Sequence, residues 1–183
     1  HAQRDVSSAS TYLMNPNTNR RLFLRSAAAT TLMAGFPNIL LAQGNNTKLK
    51  IGLVGCGGRG TGAADQALSA DPNVVLWAMA DAFSGQVTNS LNNLSKKFSG
   101  KIDVPESRQF SGLDAYQKLL ESGVDVVLLA SPPGFRPVHL RAAIEAGKHV
   151  FAEKPMAVDV AGVKSVVESA KLAKQKNLTL QHG

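Results

Sequence analysis

One cysteine, Cys56, is all the thiol chemistry in this chain of 183 residues, which excludes an intramolecular disulfide framework. No Cys/His pair stands at zinc spacing, and no metal is expected. The chain also lacks internal repeats, low-complexity segments and any apolar run with the length and purity of a membrane span. Positive charge is in excess, at +7, but it is not concentrated. Four of the 20 basic residues (Arg4, Arg20, Arg21, Arg25) and one of the 13 acidic residues (Asp5) precede Gln43, leaving a balance of +4 from there on. Phosphate backbones are bound by clustered Lys and Arg. Lys164, Lys171, Lys174 and Lys176 are instead spread along helical sequence as a solvated face, so no nucleic-acid partner is expected.

What is present is enough apolar sequence, 44%, for one globular domain with a real core. The chain opens on His1 and closes on Gln181-His182-Gly183 just after the apolar Leu178 and Leu180, so both ends look cut and a fragment is expected. Near the start, Asn19-Arg20-Arg21-Leu22-Phe23-Leu24-Arg25 precedes the weakly apolar stretch Ser26 to Ala42, which is interrupted by Thr30, Thr31, Gly35, Pro37 and Asn38. Seventeen residues broken in this way suit the h-region of a signal peptide better than a membrane anchor. The arginine pair followed by Phe23, Leu24 and Arg25 matches the twin-arginine export motif. Residues 14–42 are therefore expected to be a twin-arginine signal starting at Met14, with residues 1–13 an upstream artefact, cleavage near Ala42-Gln43 and a polar linker over 43–47. The alternative is an N-terminal amphipathic helix with incidental arginines.

From Lys48 onward strand and helix signals alternate. Leu49 to Val54 reads as a buried strand running into a glycine turn, and Thr61 to Ala70 as a helix of small residues. Val74 to Ala80 is a second strand ending at Asp81, followed by a polar helix around Gln86 to Phe98 and a short helix within Ser111 to Glu121. Val124 to Ala130 is a β-branched strand stopped by Pro132 and Pro133. Val138 to Ala146 reads as a helix capped by Gly147, Lys148 to Ala152 as a strand, and Ala157 to Lys176 as a helix with Val163, Val166, Val167, Ala170 and Ala173 at helical spacing. Leu178-Thr179-Leu180 begins a last strand. The alternation predicts an α/β Rossmann fold over 48–183, a doubly wound parallel sheet with helices on both faces.

Gly55-Cys56-Gly57-Gly58-Arg59-Gly60 is a GxGxxG turn in its proper context, strand before and helix after. Gly55 permits the tight turn, Gly57 lets backbone approach a pyrophosphate, Gly60 lets helix pack on strand, and the helix N-terminus offers free amides to phosphate. Asp81, 21 residues beyond Gly60, stands where a carboxylate accepts hydrogen bonds from both adenosine ribose hydroxyls. A 2′-phosphate would meet that negative charge with no Arg or Lys in Ala82-Phe83-Ser84 to offset it, so NAD is expected over NADP, with NADP still possible. The alternative role for Asp81 is to cap the helix starting near Ser84. The turn alone leaves other Rossmann ligands, such as FAD or S-adenosylmethionine, open.

With Ala130-Ser131-Pro132 and the run Ala146-Gly147-Lys148-His149-Val150-Phe151-Ala152-Glu153-Lys154-Pro155 added to the glycine turn, the chain resembles the glucose-fructose oxidoreductase, inositol dehydrogenase and rhizopine-catabolism (Gfo/Idh/MocA) oxidoreductases over essentially all of Lys48 to Gly183. The resemblance implies that Lys154 contacts substrate and nicotinamide and is the catalytic residue of this half. Its ammonium can hydrogen-bond a sugar hydroxyl and stabilise the alkoxide that develops there. It also implies that Gly55, Gly57, Gly58, Arg59, Gly60, Asp81, Ser131, Pro132, Glu153, Lys154 and Pro155 form the cofactor site, and that the proline often follows a cis peptide bond. Ser131 stands where relatives usually carry threonine, which keeps the hydroxyl. Arg136 stands where they carry a histidine, a departure expected to mark an anionic or differently held substrate. His139 and His149 are expected to be packing residues and His182 to face the nicotinamide pocket.

The resemblance further implies a second, C-terminal α+β domain, absent here, that supplies the Asp and His acid/base pair and commonly the subunit interface. The chain is accordingly expected to be the cofactor-binding part of an exported, periplasmic NAD(P)-dependent oxidoreductase acting on the CH–OH group of a sugar or polyol. By itself it should bind cofactor without turning over substrate. Its expected partners are that substrate, the twin-arginine export machinery and, through the missing domain, further copies of itself. The alternatives are an NAD-dependent glycoside hydrolase of the same superfamily, whose members tend to lack the lysine matching Lys154, and a non-catalytic nucleotide-binding protein.

Overall fold

Residues that are apolar on both faces of a strand can be buried only between two layers of helices, and that is where the strands lie. The computed structural model describes residues 48–183, so the expected signal peptide over 14–42 and the flanking segments 1–13 and 43–47 lie outside the described residues. Six strands, β1 (Leu49–Val54), β2 (Val74–Asp81), β3 (Gln109–Ser111), β4 (Val126–Leu129), β5 (His149–Ala152) and β6 (Leu180–His182), form one sheet in the order β3-β2-β1-β4-β5-β6. All five pairings are parallel. Five helices connect them: α1 (Gly58–Ala70), α2 (Ser84–Lys97), α3 (Ala115–Glu121), α4 (Arg136–Glu145) and α5 (Val160–Gln175). This is the expected doubly wound Rossmann sheet.

The period of two along each strand divides the core. Ile51, Leu53, Met79 and Leu128 pack with Ala64 and Leu68 of α1 and Val87 and Leu94 of α2. Val54, Ala80, Val127, Leu129 and Val150 face the other way, against Leu119 of α3, Leu140 and Ile144 of α4 and Ala173 of α5. The register of β1 on β2 shifts between Ile51 and Gly52, which leaves Trp77 unpaired in a bulge. Its indole lies between Lys50 Nζ at 4.2 Å and the Arg108 guanidinium at 3.5 Å, and its Nε1–H donates to the Ser122 carbonyl at 2.7 Å.

Strand order decides where a ligand can sit. After β3 the chain crosses the sheet and re-enters beside β1 as β4, so the loops leaving β1 and β4 diverge to opposite faces and open a crevice at their carboxyl ends.

Several elements differ from the sequence-based expectation. β3 was not expected, because in Gln109-Phe110-Ser111 a single apolar residue carries no period; it forms because Met79 to Asp81 of β2 present a free edge. α1 begins at Gly58 rather than Thr61, since the glycines are already helical there. Val163 and Val167 of α5, placed by spacing with the buried stripe, are about half exposed, and Ser169 and Ala173 occupy the buried side. Asp159 caps that helix, with its Oδ1 accepting from the Gly162 amide at 2.6 Å. Lysines from elsewhere close two other helix ends: Lys101 Nζ donates to the Leu68 and Asp71 carbonyls at 2.6 and 2.8 Å, and Lys176 Nζ to those of Ile144 and Glu145 at 3.2 and 2.8 Å.

Loss of one N-cap costs about 1 kcal/mol, so Asp159→Ala is expected to lower unfolding free energy in urea by roughly that amount with an unchanged m-value.

Candidate functional site

The first wall of the crevice is built by close approach. Gly55, at φ +93°, turns the chain sharply out of β1, and a Cβ there would lie 2.5 Å from the Ser131 nitrogen. At Gly60 a Cβ would lie 1.8 Å from the Gly55 carbonyl oxygen, so α1 can start against the strand only with glycine at that point. Gly57 stands at the N-cap of α1 with no side-chain cap, and a Cβ placed on it meets nothing within 4 Å. The first amides of α1 are therefore not closed off by a capping side chain. Cys56 between these glycines is buried, and burial first, then the nearby Asp81 carboxylate, pushes its thiol well above the usual range, which leaves it unreactive.

Asp81, the last residue of β2, is pinned by both oxygens. Oδ2 accepts from the Cys56 amide at 2.7 Å and Oδ1 from the Phe83 amide at 3.0 Å. Phe83 is itself the N-cap of α2, and no side chain caps that helix. Asp81 thus ties the glycine turn to the end of β2 rather than capping α2, and it faces the crevice.

The opposite wall comes from the ends of β4 and β5. Arg136, the first residue of α4, is 3% exposed, and its Nη1 and Nη2 donate to the Pro155 and Ser131 carbonyls, while Nε has no partner. Burial pulls the Arg136 pKa down, and the Glu153 carboxylate pulls it back up. Glu153 is 4% exposed; Arg59 Nη2, reaching from the glycine turn, lies 2.6 Å from its Oε1. Hydrogen bonding to Glu153, and then its negative charge, hold the Arg59 pKa above its ordinary value. Ser131 Oγ lies 3.0 Å from His139 Nδ1, and the His139 ring packs on Tyr116 with centroids 4.3 Å apart. Burial, and then the charge of Arg136, lower the His139 pKa to about 4.

These walls enclose a cavity of about 620 Å³. It brings together eight of the expected residues: Gly55, Gly57, Arg59, Asp81, Ser131, Pro132, Glu153 and Lys154. Gly58, Gly60 and Pro155 do not line it: Gly58 opens α1, Gly60 is buried behind the turn, and Pro155 follows a cis peptide bond and is tied in through its carbonyl. His182 is exposed on β6 and is not in the cavity wall, contrary to expectation. His149 is structural as expected, its Nδ1 accepting from the Thr179 amide at 3.0 Å. His139 is the correction. Expected to be packing, it lines the cavity, because α4 starts at Arg136 and the next turn of the same face still looks into the crevice. Phe83 and Tyr116 also line the wall, brought together by the parallel pairing of Asp81 with Ser111 at the ends of β2 and β3.

Residues 49–182 match the GFO_IDH_MocA family, described as an oxidoreductase family with an NAD-binding Rossmann fold. The chain is 31% identical over 125 residues to an inositol 2-dehydrogenase of Paracoccus denitrificans, covering 68% of this chain and 34% of that protein. It is 26% identical over 183 residues to a glycosyl hydrolase family 109 protein of Shewanella baltica, covering 88% and 38%. Among solved structures, GenD2 from gentamicin A biosynthesis in complex with NAD superposes with a TM-score of 0.56 at 26% identity, over 75% of this chain and 34% of that one. The chain therefore spans little more than a third of the length of the curated relatives it matches.

The His139 pKa predicts an acid-sensitive fold. In the unfolded chain the imidazole takes up its proton near 6.5, whereas the folded chain resists until about 4, so stability is lost as pH falls through that window. Urea midpoints measured across it should decline, and His139→Asn should flatten the decline.

Proposed function

From the premise that the chain belongs to the GFO_IDH_MocA oxidoreductase family and carries its NAD-binding Rossmann domain, we propose that it is the cofactor-binding part of an exported NAD(P)-dependent oxidoreductase acting on the CH–OH group of a sugar or polyol. The observation that carries this reading is that Lys154 and the glycine turn with Asp81 open onto one cavity.

The residues present fit a dinucleotide. The uncapped amides of α1 beside the bare backbone of Gly57 suit a pyrophosphate. The two oxygens of Asp81 are held in place by backbone amides yet keep lone pairs for ribose hydroxyls, and their charge repels a 2′-phosphate. Ser131, Pro132 and Glu153 flank the other end, where the nicotinamide half would lie. When bound, the nicotinamide supplies the hydride acceptor. Lys154 would then hold the substrate hydroxyl by a hydrogen bond and stabilise negative charge on its oxygen as the proton passes to the acid/base pair expected from the C-terminal domain. His139, neutral above about pH 4, orients the Ser131 hydroxyl without adding a charge.

The name of the Paracoccus denitrificans relative, an inositol 2-dehydrogenase, supports a polyol substrate. The domain itself is assigned to 48–183, and residues 14–42 to a twin-arginine signal that delivers the folded, cofactor-loaded protein outside the cytoplasm. A released cofactor is not replaced there, which favours tight retention. Further copies are expected to assemble through a C-terminal domain. A second reading, an NAD-dependent glycoside hydrolase, is favoured by the name of the Shewanella baltica relative; release of the aryl alcohol from an aryl glycoside by the whole protein would decide for it.

Fluorescence titration of the chain should show NADH binding at least about tenfold tighter than NADPH, the size of one unfavourable charge contact, and binding of neither would overturn the reading. In the whole protein, Lys154→Met should lower turnover by about 10²- to 10⁴-fold, a far larger effect than its weakening of NADH binding.

A further inference from the structure

Arg136 carries three costs at once. Its guanidinium is buried, its Nε has no partner, and as the first residue of α4 its charge sits at the positive end of a helix. What the side chain does is join two segments that the sheet no longer joins. The Glu153 amide donates to the Leu129 carbonyl at 2.9 Å, and beyond that bond the chains leaving β4 and β5 separate. The next link between them among the described residues is Arg136, with one Nη on the Ser131 carbonyl and the other on the Pro155 carbonyl. Lys154 is mounted between those anchored points. The Glu153 carboxylate compensates the buried charge. With both Nη groups given to main-chain carbonyls and a carboxylate close by, Arg136 is poorly placed to receive the anionic substrate that its sequence position suggested.

We propose that Arg136 is a positioning residue: by clamping the Ser131 and Pro155 carbonyls it fixes the wall that carries Lys154 and the Ser131 hydroxyl, against which the nicotinamide half of the cofactor lies. This rests on the dinucleotide reading of the cavity. A planar fork holds two carbonyls on different loops at a fixed separation and angle. Lysine keeps the charge but gathers its donors on one atom, and a neutral histidine supplies a single donor from a shorter side chain. Arg136 acts on one end of the cavity alone, because the glycine turn and Asp81 are held by their own bonds to Ala80, Cys56 and Phe83.

The test compares NADH with ADP-ribose, which lacks the nicotinamide, in the unsubstituted chain and in Arg136→Lys and Arg136→His, with folding checked by circular dichroism. The unsubstituted chain should bind NADH more tightly than ADP-ribose. Each variant should keep ADP-ribose affinity within about twofold while losing about tenfold in NADH affinity, the worth of one charge-assisted hydrogen bond. Arg136→Lys retains the cation beside Glu153, so it serves if Arg136→His does not fold. Equal weakening of both ligands would mean a purely structural role and overturn the proposal, as would unchanged NADH affinity or no advantage of NADH over ADP-ribose in the unsubstituted chain. Failure of the unsubstituted chain to bind either ligand would overturn the dinucleotide reading itself, and the proposal with it, before any variant is compared.

Discussion

The contact between the first turn of α1 and the end of β1 is the constraint on which the rest of the site depends. A methyl group at Gly60 would overlap the Gly55 carbonyl, so α1 can begin where it does only with glycine there. That start fixes the helix N-terminus over the crevice, brings Arg59 within reach of Glu153, and leaves the Cys56 amide free to hold Asp81. Moving α1 outward by the width of a side chain would break all three relations. The glycine turn is therefore as much a packing device as a place for a ligand to approach.

Charge then divides the cavity into two unlike ends. At one end Asp81 is the acidic group, and it is fixed by neutral backbone amides. At the other, the Glu153 carboxylate lies under the influence of the guanidinium groups of Arg59 and Arg136, with Lys154 next in sequence. The buried Glu153 carboxylate in turn makes the burial of Arg136 tolerable. Burial, and then the Arg136 guanidinium, keep His139 neutral above about pH 4, so His139 adds no charge near neutrality to the cations at that end.

Much of this was legible in the residues. The strand into the glycine turn, Asp81 at the end of β2, Ala130-Ser131-Pro132 and the Glu153-Lys154-Pro155 run are short-range patterns, and eight of the eleven residues they named line one cavity. What was not legible had no local pattern to read. β3 is three residues held by an edge rather than by its own propensity. Val163 and Val167 share the period of Ala173 but not its neighbours. His139 looked like one more residue of an apolar helix until the start of α4 set which side of its first turn meets the crevice.

By itself the sequence determined the order of strands and helices apart from β3, the turn that must contain glycine and the chemistry of the side chains offered at strand ends, because each follows from backbone sterics or from a period of two or 3.6 within a few residues. The tertiary structure alone decided which of those side chains meet. Arg59 finds Glu153 and Arg136 finds the carbonyls of Ser131 and Pro155 only because β4 lies beside β1 and β5 beside β4. Burial, and with it the depressed pKa of His139 and the raised one of Cys56, likewise exists only once the two helical layers have closed on the sheet, since desolvation is a property of the packed surroundings and not of the residue.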